Sequence, residues 1–107
     1  MGIFVGHRRP ASVVAIDTAK GEILNNVGAC GDADDLFYDG ARKRLHVSCG
    51  DGHVAIFDAT SGLTETSMIS TRKGARTSLF VPALDRLFVA VPMSGDQLAE
   101  IWVYAPK

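Results

Sequence analysis

The chain has 107 residues, a formal net charge of −1, and 47% apolar residues. That length fits one ordinary domain, and the apolar content supplies a packed core and excludes a disordered composition. The balanced charge gives no bulk attraction to nucleic acid or anionic membranes, and no apolar run approaches the roughly 20 residues of a membrane-spanning helix.

Met1 to Gly6 leads straight into His7-Arg8-Arg9 without the pattern of a signal peptide, which leaves the compartment open. Ile3 to Val5 reads as a first strand, Val13 to Asp17 as a second and Glu22 to Val27 as a third. Asp34 to Tyr38 is the next strand, stopped by the turn pair Asp39-Gly40. Arg44 to Ser48 follows. Gly50-Asp51-Gly52 is a tight turn, because glycine reaches positive φ without steric cost. His53 to Asp58 and the more polar Glu65 to Ser70 come next, separated by Thr60-Ser61-Gly62. Ser78 to Val81, Arg86 to Val91 and Glu100 to Tyr104 complete ten strands, with no helical periodicity between them.

One strand is written three times. Gly2-Ile3-Phe4-Val5 becomes Arg44-Leu45-His46-Val47 and then Arg86-Leu87-Phe88-Val89, a step of 42 residues each time. Asp17 and Asp58 are 41 apart, as are Gly21 and Gly62. Four short strands in about 40 residues is the period of a β-propeller blade. The expected fold is therefore all-β: about two and a half four-stranded antiparallel blades of a partial propeller. The first blade spans residues 1–31 and lacks its inner strand. The second spans 32–73, and the third spans 74–107 and lacks its outer strand. The nearly continuous apolar runs suit blades packed on both faces. Propellers have about 4–8 blades, so closure within this chain is not expected. Self-association or additional blades would cover the open ends.

The segments Gly31 to Asp39, Arg42 to Gly52, Gly74 to Pro82 and Asp85 to Pro92 resemble the C-terminal blades of bacterial YVTN-type (YncE-like) seven-bladed propellers, and the likeness runs over essentially the whole chain. The resemblance implies the propeller fold, further blades upstream and, in many relatives, export. Activity varies widely on this fold, so the resemblance does not fix one.

Propeller topology gathers certain loops at the channel mouth: His7 to Pro10, Cys30 to Asp35, Cys49 to His53, Arg72 to Arg76 and Met93 to Gln97. Arg8, Asp34, Asp35, Asp51, His53 and Arg76 are the candidate binding residues there. Asp32, Asp34 and Asp35 have the oxygen chemistry of a Ca²⁺ site. The favoured reading is structural, with Asp34 and Asp35 accepting hydrogen bonds that stitch one blade to the next and Asp34 placed to pair with Arg76.

Two cysteines are too few for a disulfide framework. Cys30, Cys49, His46 and His53 lack the spacing of a zinc site, and buried thiols with ordinary strand histidines are expected instead. A Cys30–Cys49 disulfide is the remaining option, since both fall at the same end of adjacent blades. His46 falls on the opposite face of its strand from Leu45, Val47 and Cys49. Arg8-Arg9, Arg42-Lys43-Arg44 and Arg72-Lys73-Arg76 read as solvated turn residues. Trp102 and Tyr104 read as packing between blades. Ser78 has no nucleophile-elbow context, and no phosphate loop precedes a helix.

No catalytic residue, metal or cofactor is expected. The leading reading is a non-enzymatic propeller module, a fragment or truncated member of its family, that offers a scaffold to a protein or small-molecule partner. Neither nucleic acid nor membrane insertion is expected. The alternative is part of an enzyme-like propeller, related to lactonases or quinoprotein dehydrogenases, whose active residues lie in missing blades.

Overall fold

The computed structural model describes residues 2–106. Ten strands form three antiparallel sheets, each a simple meander. The first sheet holds β1 (Gly2–Arg8), β2 (Ala11–Asp17) and β3 (Glu22–Gly28) in sequence order. The central sheet holds β4 (Ala33–Asp39), β5 (Arg44–Cys49), β6 (His53–Asp58) and β7 (Thr64–Ser70). The third holds β8 (Thr77–Val81), β9 (Arg86–Val91) and β10 (Glu100–Tyr104). All ten expected strands are present, in groups of three, four and three. No helix among the described residues is long and apolar enough to cross a membrane.

The repeat reappears in the backbone. Lys43 and Asp85, 42 positions apart, both take positive φ (53° each) just before β5 and β9. Gly21 (φ 69°) and Gly62 (φ 92°) take it in the β2–β3 and β6–β7 turns. These are left-handed positions that reverse a chain sharply. Gly52, at φ 102°, closes the β5–β6 turn.

Strand alternation splits the core in two. Leu45, Val47 and Cys49 of β5 face the first sheet and pack with Val13, Ala15, Ala55 and Phe57. His46 and Ser48, on the opposite face, meet the third sheet: His46 lies 5.3 Å from Phe80 between ring centroids, and Ser48 Oγ is 2.8 Å from Ser78 Oγ. Val54, Phe80, Leu87, Val89 and Val91 form the second cluster, with Trp102 and Tyr104 packed against it. The sequence expectation for these two aromatics and for His46's side of the strand therefore holds.

The molecule is elongated, 50 × 31 × 20 Å, as expected of sheets stacked in a row. The far faces of the end sheets expose Ile3 and Ile23 on one side and Leu79, Ile101 and Val103 on the other. β7, on one edge of the central sheet, is almost wholly exposed and polar, the composition that keeps an edge strand from pairing further.

Candidate functional site

Turns at one end of the stack bring together charges from all three sheets. Arg8 ends β1, Asp32 and Asp34 lie at the entry to β4, and Arg76 precedes β8. Arg8 Nε is 2.9 Å from Asp32 Oδ1, and Arg8 Nη2 donates to Asp34 Oδ1 at 2.6 Å. Arg76 meets the other oxygen of Asp32, through Nη2 at 2.7 Å and Nε at 2.8 Å. Asp32 thus sits between two guanidinium groups in a charge-assisted chain. The hydrogen bond from Arg76, aided by the charges of Arg76, Arg8 and Arg9, holds its carboxyl below the ordinary carboxylate range.

The backbone makes this possible. Asp32 has a positive φ of 58°, which turns its carboxylate over Gly50. A Cβ at Gly50 would collide with that carboxylate and lie 2.9 Å from Arg76 Nη2. The Gly50 amide donates to the Asp32 carbonyl at 2.9 Å, and the Gly74 amide to the Gly50 carbonyl at 2.7 Å. Gly50 is therefore the point over which the turns of the central and third sheets cross.

Beside it, Asp51 accepts from the Gly31 amide at 2.8 Å and lies 3.0 Å from His53 Nδ1. Cys30 and Cys49 are joined by a disulfide with a Cα–Cα distance of 5.8 Å, which resolves the choice against buried thiols. Its sulfurs lie near the Asp51 carboxylate. A disulfide has no thiolate, so that cluster offers a cation only the Asp51 oxygens.

Of the residues singled out in the sequence, Arg8, Asp34 and Arg76 join one chain and Asp51 and His53 form a neighbouring pair. Asp35 turns away from the surface: its Oδ2 accepts from the Ser78 amide at 2.9 Å, tying the central sheet to the third. The expected pairing of Arg76 with Asp34 is replaced by pairing with Asp32, whose left-handed backbone brings its carboxylate nearer. Calcium chemistry at Asp32, Asp34 and Asp35 has no support in this arrangement: arginines hold both Asp32 oxygens and one of Asp34, and an amide holds one of Asp35.

Arg42 and Arg72 also differ from solvated turn residues. Arg42 bonds Asp39 at 3.0 Å and grips Asp85 through two bonds of 2.7 Å. Its hydrogen bonds to Asp85 and then to Asp39 raise its pKa further above the ordinary arginine value. Arg72 donates to the carbonyls of Pro92 (2.9 Å) and Leu98 (3.0 Å) and stacks on Trp102 at 5.5 Å. These arginines are clamps between successive segments. Arg42 meets a carboxylate at the same end of the next sheet and Arg72 meets backbone carbonyls, pairings that only the folded stacking reveals.

The site offers fixed, largely compensated charges. Among the described residues, the Ser48 hydroxyl meets the Ser78 hydroxyl and the Arg76 and Asp35 carbonyls, and no bond joins either hydroxyl to a histidine or carboxylate base. The geometry suits recognition through the remaining donor faces of Arg8 and Arg76 and the half-buried His53. Comparison with protein-family models, curated proteins and solved structures finds no match to this chain.

Proposed function

We propose that the three sheets are successive blades of a YVTN-type β-propeller and that the chain is a non-enzymatic binding scaffold. The observation that carries this reading is the chain Arg8–Asp32–Arg76, which links all three sheets at one end and leaves its cations half exposed. Three meanders with repeated turn geometry support the blade assignment. The apolar outer faces of the end sheets support further blades or a second copy covering them. The partner approaches the end that carries Arg8, Asp32 and Arg76 and is a protein segment or small molecule with complementary charge.

Site-specific photo-crosslinking tests the reading. A crosslinker at His53 gives a discrete adduct, whereas one at Lys20, in the β2–β3 turn at the opposite end, does not. Equal labelling from both positions would refute the assignment of a binding end.

A further inference from the structure

The opposite end of the stack holds a second, different site. A cavity of about 450 Å³ lies between the central and third sheets, lined by Arg44, His46, Ile56, Ile69, Leu87 and Tyr104. That volume falls within the usual range for small-molecule pockets. His46 is only 4% exposed, yet neither ring nitrogen has a hydrogen-bond partner among the described residues. Among the described residues the buried Nε of Arg44 has none either, and none forms an ion pair with its guanidinium. Buried polar groups are ordinarily satisfied, and two unsatisfied side chains facing one cavity point to a ligand.

The nearby carboxylates do not supply the missing partners. Asp39 is taken by Arg42 and by the amides of Ala41 and Arg42. Asp58, across from Arg44 in the β5–β6 register, accepts from the Thr60 amide at 2.8 Å. Arg42 is held by Asp39 and Asp85. Among the described residues, one uncommitted cation therefore remains beside a histidine whose pKa is lowered by burial and then by the charge of Arg44. Isoleucine, leucine and tyrosine side chains form most of the other walls, with Ser67, Ala105 and Pro106 completing them.

We propose that this cavity binds a small organic monocarboxylate with a flat or branched apolar body. The carboxylate accepts from the Arg44 guanidinium and from one N–H of neutral His46. The apolar body lies between Ile56, Ile69, Leu87 and the Tyr104 ring. A single free cation matches one negative charge; a phosphate dianion would leave a buried charge uncompensated. This site does not depend on the propeller reading or on the polar end.

Phenylacetate is a suitable probe, with phenylacetamide as its neutral isostere, followed by amide NMR. Phenylacetate gives saturable shifts centred on Arg44, His46, Leu87 and Tyr104, and binds about ten-fold or more tightly than phenylacetamide, one step of charge-assisted bonding. Arg44→Gln abolishes that preference and Arg44→Lys retains part of it. Absence of saturable shifts, equal affinity for the two probes, or shifts confined to the outer faces around Ile3 and Ile101 would each overturn the proposal. If Arg44→Gln does not fold, the ratio of the two affinities in the unaltered protein decides.

Discussion

Reducing the Cys30–Cys49 bond releases a constraint on the unfolded chain and leaves the folded core almost intact. The two residues are 19 apart and lie in the core cluster shared by the first and central sheets. Chain-entropy arguments assign a loop of that length about 3 kcal/mol of stabilisation. A chain of this length has an unfolding entropy of about 0.22 kcal/mol/K, so the loss lowers Tm by about 10–15 °C. The assay is a thermal melt with and without a phosphine reductant, with complete reduction verified by mass. Urea unfolding of Cys30→Ala/Cys49→Ala reads the same loss as a lower midpoint, with a steeper m-value because the unfolded chain expands. An unchanged Tm after full reduction would refute the entropic account.

Gly50→Ala pushes a methyl group into Asp32 and Arg76 and lowers stability by about 1–3 kcal/mol; Gly28→Ala, with open space beyond its Cα, serves as the neutral control in the same urea titration. Asp35→Ala leaves the Ser78 amide without its acceptor and costs about 1–2 kcal/mol, read as faster hydrogen exchange at that amide. Burial lowers the pKa of His46 from its ordinary 6.5, so the unfolded chain takes up its proton first as pH falls. Stability is complete above about pH 7 and drops toward pH 5; a His46→Leu variant whose stability fell just as steeply over that interval would disprove the assignment. The exposed apolar faces at Ile3 and Ile23 and at Leu79, Ile101 and Val103 drive association of the isolated chain, measured by sedimentation at micromolar concentration. A monomer with a cooperative melt above about 60 °C would count against it.

The ten strands were legible because apolar runs and turn residues recur at one step, and strand alternation alone put His46 opposite Cys49. The partner of Arg76 was not legible. It depends on the left-handed turn at Asp32, and an aspartate at positive φ has no mark in the sequence beyond a neighbouring glycine. The roles of Arg42 and Arg72 were hidden for a related reason: their partners Asp85 and Pro92 lie 43 and 20 positions away. Arg44 looked like one more turn cation. Only the stacking of β9 and β10 against it closes a cavity over its buried edge.

The two clamps of the third sheet have a consequence for how the sheets align. Arg76–Asp32 grips the boundary at one end, and Arg42–Asp85 grips it at the other. Between them lies a seam of valine, leucine and phenylalanine, pinned further by the Ser48–Ser78 and Asp35–Ser78 bonds; its apolar part alone holds no fixed register. Both clamps cannot stay closed through a slide of one pleat. They act as the two pins of a hinge plate: the oily seam supplies adhesion, and the charges at its ends fix the alignment.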